Sequence, residues 1–461
     1  WASGPADPWG PRPKRPLSTL SGSTFQVYNI RCAPRQDSIQ QWAARKVTGQ
    51  ADQEKQEKEK ERRVFKMWKD IKFVTPDIVF GMDAVNVVGD KIRALKGKRA
   101  LVVTGPSVKS SGALDKVLGS ARDAGVDLDV KVQQRSTPEP TTELAEEVAK
   151  YIVDGKFDVV VGLGGGSILD VAKMSSALTT NPGKTRDYFG PGKVKNKGLP
   201  TIMIPTTAGT GSEVTKHAIF LDQENNVKKA VASSALLPDV AIVDPMLTVS
   251  SPRHVTSASG FDAWLHAAEP FVSKNTNPIT DALALQAVSI IAKHLGVAWS
   301  DPDDLDARYH VSLGSLMAGM VLNNAGTSLV HALAYPIGGE YHATHGISLS
   351  VLLIACFKAI AASKGERLVQ IAKAMGENVD GLSTREGVEV ALDAMAAFMK
   401  SVELPISLEE IGITDRSGVE RWAVEGWNER RLLGRCARDL TVEDIAAIYR
   451  DAFEARNFFW E

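Results

Sequence analysis

From about residue 75 the chain alternates short β-branched runs with longer stretches of helical period. The segments "RALVVTG", "VDLDVKVQ", "DVVVGLG", "TIMIPTT" and "VAIVD" have strand length and composition. Between them, "ALDKVLGSARDAG" and "ELAEEVAKYIVDG" carry apolar residues at helical spacing. Such alternation predicts a parallel sheet covered by helices. After Asp244-Pro245 the strand pattern ends, and "DALALQAVSIIAKHL", "RYHVSLGSLMAGMVL", "LSVLLIACFKAIAAS", "GERLVQIAKAMG" and "VEVALDAMAAFMKS" all have helical period. The expected organisation is therefore an α/β domain over 67–250 and an all-helical domain over 251–461. No internal repeat is apparent, which disfavours a solenoid. In "SLVHALAYPIGGEYHATHGIS", Pro336 and Gly338-Gly339 predict an interruption of an apolar helix.

Residues 1–66 differ from the rest, being rich in Pro, Gly and Ser and ending in the charge run "ADQEKQEKEKERR". That is the composition of a disordered or extraneous extension. Met67 stands just before the patterned sequence and is the expected natural start. A transit peptide is the alternative, disfavoured by the acidic residues in the second half of the extension. The 461 residues are 44% hydrophobic and 24% charged, ordinary values for a globular protein with real cores. A formal net charge of -1 provides no global field for nucleic acid or anionic lipid, so small-molecule chemistry is favoured. The three cysteines, Cys32, Cys356 and Cys436, form no C-x-x-C pair. A disulfide framework and a thiolate metal site are disfavoured, and a cytoplasmic, reducing setting is expected. No uninterrupted apolar run reaches membrane-spanning length; "ISLSVLLIACFKAIAA" is expected to be a buried core helix.

Two loops carry candidate binding chemistry. "DVVVGLGGGSILDVAK" is a buried strand entering glycines and then a helix, with Ser167 expected as the N-cap and Asp170 three residues on. Gly164, Gly165 and Gly166 allow close backbone approach to an anion at a helix start, although a tight strand-to-helix turn needs the same residues. The chain lacks the Walker pattern there. "IPTTAGTGSEVT" follows another strand and holds Thr206, Thr207, Thr210, Gly211 and Ser212. Glycine and hydroxyl loops at the carboxyl ends of adjacent parallel strands point to a dinucleotide.

The histidines raise a metal question. In "SGFDAWLHAAEP", Asp262 and His266 are four apart and share one helical face, as a charge pair or as two ligands of a cation. Joined by His331 and by His342 or His345, they offer one oxygen and three nitrogens. That set suits iron or zinc with a position left for substrate. His217, His254, His294 and His310 have no such company and read as ordinary residues.

Taken together, "GLGGGSILDVAK", "PTTAGTGSEVT", "VDPMLT", "GFDAWLHAAEPFVS" and "LVHALAYPIGGEYHATHG" resemble the iron-containing alcohol dehydrogenase family. That family shares its fold with glycerol dehydrogenase and dehydroquinate synthase. The resemblance runs from about residue 70 almost to the C-terminus, with five motifs in the family's order. It implies a Rossmann-like α/β N-terminal domain with a parallel sheet, an all-α C-terminal domain, and a metal site in the cleft between them. It assigns the metal to Asp262, His266, His331 and His345. It places Gly165, Gly166 and Ser167 at the pyrophosphate, with Asp170, Thr206, Thr207, Thr210, Ser212 and Lys229 elsewhere along the cofactor. Homodimers or larger homo-oligomers are implied as well.

Two departures stand out. Many members carry a relay histidine four residues after the third ligand, where this chain has Tyr335; His342 is the alternative relay. The C-terminal "RRLLGRCARDLTVEDI" lacks the family's Asn-Pro-Arg lead-in, which bears on substrate preference. After the first strand, members that prefer NAD often carry an aspartate where Gly105 stands. Gly105, Ser107 and Lys109 leave room, a hydroxyl and positive charge, which favours NADP over NAD. The expected activity is metal-dependent hydride transfer between NAD(P)(H) and a small primary alcohol or aldehyde, with Fe2+ as the expected cation and Zn2+ as its alternative. The rival readings are a polyol dehydrogenase, another metalloenzyme of the same fold, and an inactive binding scaffold.

Overall fold

The structure, a computed structural model, describes residues 71–133, 140–224 and 227–454. The extension predicted over 1–66, and Met67 with it, lies outside the described residues.

Among the described residues, nine strands and five α-helices build the first half. In chain order they are β1 (Asp77–Phe80), α1 (Val88–Ala94), β2 (Arg99–Thr104), α2 (Pro106–Ser110), α3 (Ala113–Asp123), β3 (Asp127–Val132), α4 (Thr142–Gly155), β4 (Val159–Gly164), α5 (Gly166–Leu178), β5 (Gly190–Pro191), β6 (Thr201–Pro205), β7 (His217–Asp222), β8 (Val227–Ala232) and β9 (Val240–Val243). Six strands pair in the order β1-β9-β6-β4-β2-β3, all parallel. The five strands and two helices expected from periodicity are all present; β1 and the hairpin β7–β8, which pairs with β5, were not expected. Side chains alternate across the sheet, so Ala100 and Val102 enter one core and Leu101 and Val103 the other. Burial on both faces explains why β4 and β6 read as unbroken apolar runs.

The order in which successive strands join this sheet reverses between β2 and β4, and parallel α/β sheets open a ligand crevice at such a point. Register sets its floor: Thr104 pairs with Leu163, and Gly164 with Pro205, so three loops leave the sheet side by side.

The second half comprises α6 (Arg253–Phe271), α7 (Pro278–Ser300), α8 (Leu305–Ala325), α9 (Leu329–Tyr341), α10 (His345–Met375), α11 (Thr384–Ser401), α12 (Val419–Asn428), α13 (Arg430–Leu433) and α14 (Val442–Asp451). Helix α6 is its axis, buried without a break from Gly260 to Phe271. The two helical segments expected on either side of Lys364 form one run, α10, with non-helical dihedrals only at that residue.

Two expectations are corrected. Pro336 does not interrupt its helix: α9 continues through it to Tyr341 and ends at His342, whose φ of 54° is left-handed. The proline lies buried in the helical core, where packing outweighs the hydrogen bond it cannot donate. Helices α7 and α10 are also long and apolar enough by length and composition to cross a membrane, although no uninterrupted apolar run suggested it. Most of the apolar stretch of α10 is buried against its neighbours, as expected of a core helix.

Candidate active site

The first glycine turn and the second hydroxyl loop interlock. A Cβ on Gly166 would stand 2.6 Å from Thr210 Oγ1, so glycine there lets the two loops close on each other, and one on Gly164 would stand 2.9 Å from Ile168 Cβ, so glycine there lets the strand turn tightly into its own helix. Gly165, not Ser167, is the N-cap of α5, and it offers no side-chain cap. Ser167 falls in the first turn and faces a cavity of about 450 Å³ that also takes in Gly166, Thr210 and Ser212. Two amide-rich loops thus bound one end of the cavity, a fitting place for a phosphate.

Other predicted cofactor residues stand differently. Asp170 borders the cavity, but Oδ1 accepts from Ser212 Oγ at 2.5 Å and Oδ2 from the Ile219 N–H at 2.9 Å. Its carboxylate also pairs with Lys173 at 3.1 Å, so Asp170 orders the loop with oxygens already engaged. Thr206 and Thr207 lie beside the glycine turn, Thr206 donating its N–H to Gly164 O at 3.0 Å, and neither lines the cavity. Lys229 is exposed on β8, whereas Lys228 and Ala230 face the cavity. Strand alternation turns adjacent residues to opposite faces, so Lys228 and not Lys229 is the β8 lysine that lines the cavity. Gly105 caps α2 at the carboxyl end of β2, where a Cβ would meet only Ile168, 3.7 Å away, so a larger side chain has room.

Lys173 anchors this half of the site. Fully buried, it donates to Ser212 O at 3.0 Å, to Thr215 O at 3.4 Å and to His217 O, besides pairing with Asp170. Glu213 is buried in the same loop, and burial pushes its carboxyl up to about 7. The folded protein therefore binds a proton more readily there than the unfolded chain does. Stability is full below about pH 4.5 and declines as pH rises through 7. Glu213→Gln is expected to raise the melting temperature over the parent at pH 8 and to leave it nearly unchanged at pH 5. Thermal unfolding at the two pH values checks this; equal shifts at both would refute it.

The four predicted ligands converge at the other end of the cavity. Asp262 and His266 project from buried α6, His331 from α9, and His345 opens α10. Asp262 Oδ1 lies 3.3 Å from His266 Nε2, 3.5 Å from His331 Nε2 and 3.8 Å from His345 Nε2. The donor atoms of Asp262, His266 and His331 all fall within 4.8 Å of one another. Asp262 Oδ1 and His331 Nε2 are buried without a hydrogen-bond partner of acceptable geometry. Such atoms are costly unless something satisfies them, and a cation between one carboxylate and the imidazoles would do so.

Supporting groups orient the rings. Glu269, one turn beyond His266, accepts from His331 Nδ1 at 2.7 Å through Oε2 and from the Val330 N–H at 2.5 Å through Oε1. His266 Nδ1 lies 3.4 Å from Gly209 O. Both rings thereby turn Nε2 toward Asp262, the arrangement that fixes a ligand tautomer. Burial opposes a charged imidazole at His331, but Glu269 and Asp262 overcome it and raise the group to about 9. Burial likewise opposes charge on Asp262, yet the surrounding imidazoles hold its carboxyl well below the usual range. Glu269 was missed in the sequence, although its i,i+3 spacing from His266 was the signal.

Tyr335 lines the cavity one turn after His331, while His342 is exposed at the left-handed end of α9 and outside the lining, which removes it from the site. His217 and His254, read as ordinary, both face the cavity. His254, Ala258, Asp262 and His266 share one stripe of α6 at intervals of four, a pattern legible in the sequence. His294 and His310 stack on each other with ring centroids 4.2 Å apart, on α7 and α8 and outside the cavity lining.

The chain is similar to known proteins over most of its length. Residues 75–245 match the family described as iron-containing alcohol dehydrogenase, and residues 256–453 its C-terminal part. The chain is 39% identical over 376 residues to long-chain-alcohol dehydrogenase 1 of Geobacillus thermodenitrificans, covering 81% of this chain and 94% of that protein. It is 36% identical to the NAD-dependent methanol dehydrogenase of Bacillus methanolicus, covering 82% and 99%. A crystal structure of a 1,3-propanediol oxidoreductase superposes with a TM-score of 0.80 at 34% identity, covering 84% of this chain and all of that one.

Proposed function

Because the chain belongs to the iron-containing alcohol dehydrogenase family, we propose that Asp262, His266, His331 and His345 hold the divalent cation of a small-alcohol dehydrogenase working in the aldehyde-reducing and alcohol-oxidising directions. The observation that carries this reading is the convergence of those four side chains in one cavity with the interlocked glycine and threonine loops. When bound, the cation supplies Lewis acidity toward the substrate oxygen and the dinucleotide supplies the hydride carrier.

The chain's own residues do the rest. Glu269 and Gly209 O hold two imidazoles in register, so the site is formed before ligands arrive. Gly166 and Ser167 offer backbone amides to a pyrophosphate at the start of α5. Tyr335, which lines the cavity, is the residue proposed to pass a proton outward in place of a relay histidine. The donor set contains no sulfur and suits iron, as the family name implies, with zinc as the alternative. Buried free Cys356 and Cys436 support a reducing, cytoplasmic setting, and a homodimer or larger homo-oligomer is the proposed assembly.

The proposed cofactor preference is NADP(H) over NAD(H), although the methanol dehydrogenase relative is named NAD-dependent. Its support is the absence of a carboxylate at Gly105, the open space around that residue, and Ser107 and Lys109 on the helix that follows. Gly105→Asp is expected to lower kcat/KM for NADPH relative to NADH by about tenfold or more, since a carboxylate repels a 2'-phosphate. Initial rates with the two cofactors measure the ratio.

Anaerobic oxidation of NADPH and NADH with short aldehydes tests the whole reading, using chelated protein and protein refilled with ferrous iron or zinc. Turnover that returns only with metal supports it; equal turnover in chelated protein would overturn it.

A further inference from the structure

The cavity continues from the proposed cation site toward two cationic side chains that the reaction so far does not use. Arg431 lies on α13 and Arg435 just beyond that helix, one turn further along the chain, and both line the cavity. Neither forms an ion pair among the described residues. Neighbouring arginines behave otherwise: Arg421 pairs with Glu340, Arg438 with Asp444 and Arg450 with Glu443. Glu269 is the carboxylate whose charge reaches Arg435, and its oxygens are engaged by His331 and the Val330 N–H.

The position of Arg435 is built. Its guanidinium donates to Thr327 O at 3.1 Å and packs against Gly326, where a Cβ would stand 2.4 Å from Nη1. Gly326 has a φ of 77°, so the chain accommodates this guanidinium with a left-handed glycine directly ahead of the helix that carries His331. The β7–β8 hairpin presents His217 and Lys228 to the same cavity. Among the described residues two carboxylates line the cavity: Asp170 is paired with Lys173, and Asp262 faces the imidazoles. Burial and the neighbouring Arg431 charge both disfavour a charged guanidinium at Arg435, a cost that an anion entering beside them would offset. A planar guanidinium is also suited to paired hydrogen bonds with a carboxylate, sulfonate or phosphonate.

We propose that Arg431 and Arg435, with His217, bind an anionic group at the far end of the substrate, so that this enzyme's preferred aldehyde or alcohol carries a carboxylate, sulfonate or phosphonate a few atoms from its reacting carbon. The proposal rests on the dehydrogenase reading above and deepens it.

The test compares kcat/KM of the iron-loaded enzyme for 4-oxobutanoate, sulfoacetaldehyde and phosphonoacetaldehyde with that for butanal. The ratio of anionic to neutral substrate is expected to exceed ten in the parent. In Arg435→Gln it should fall ~30-fold or more, the loss typical of removing one partner from a desolvated charge pair. Arg435→Lys should restore part of the ratio, because charge survives without the paired donors. The rank among the three anions identifies the headgroup. A parent that reduces butanal with a ratio at or below one overturns the proposal and leaves the dehydrogenase reading standing. An Arg435→Gln variant that raises KM for the dinucleotide while keeping the ratio would assign the arginines to the cofactor phosphates and overturn it too. Failure to reduce any of the four aldehydes with either metal would remove the dehydrogenase reading and this proposal with it.

Discussion

Asp262→Ala is expected to abolish stoichiometric metal binding and to lower kcat/KM by about a thousandfold or more, the several kcal/mol that a Lewis acid contributes to such a transition state. Asp262 is the only carboxylate among the four proposed ligands, and its Oδ1 is the point on which three Nε2 atoms converge at 3.3, 3.5 and 3.8 Å. Removing it takes away both a ligand and the negative charge that offsets the cation. The fold should persist, because Oδ1 forms no hydrogen bond within the protein whose loss would be felt elsewhere. Metal content by mass spectrometry, far-ultraviolet circular dichroism and steady-state rates, taken on one preparation, separate the possibilities. A folded variant that keeps turnover without metal would remove the proposed mechanism.

Lys173→Met is expected to destabilise the protein by ~3–5 kcal/mol, the range for breaking a buried ion pair by removing one partner. The Lys173 side chain has no solvent exposure, and its ammonium joins Asp170 to the carbonyls of Ser212, Thr215 and His217. Without it, those acceptors and the Asp170 carboxylate are left buried and uncompensated, and the loop bearing Ser212 loses its anchor. Adding Asp170→Asn should recover part of the loss, since the pair then disappears together. Chemical denaturation of the single and double variants measures both effects. A single-variant cost below about 1 kcal/mol would show that the loop is held by other contacts.

The strands were legible because β2, β4 and β6 lie under helices on both sides and so appear as continuous apolar runs of strand length. Helix α6, which carries two of the proposed ligands, shows the reverse. It is buried on every side from Gly260 to Phe271, so it has no polar face by which periodicity could orient it. Its Asp262/His266 pair was visible only as a spacing, and Glu269 and His254 on the same stripe went unread. The break assigned to Pro336 failed because local propensity is a weak prior against a packed core.

Local sequence, then, determined the alternation of strands and helices, the glycines that let two loops touch, and the residue types able to hold a cation, since each depends on near neighbours and side-chain chemistry. The tertiary structure decided which of those residues meet. Strand alternation put Lys228 and not Lys229 toward the cavity, helix continuation carried His342 out of the site, and helix packing brought Arg435, far along the chain from Asp262, into the same cavity. Contacts between residues distant in sequence depend on how whole elements pack, and no local window of the chain encodes that.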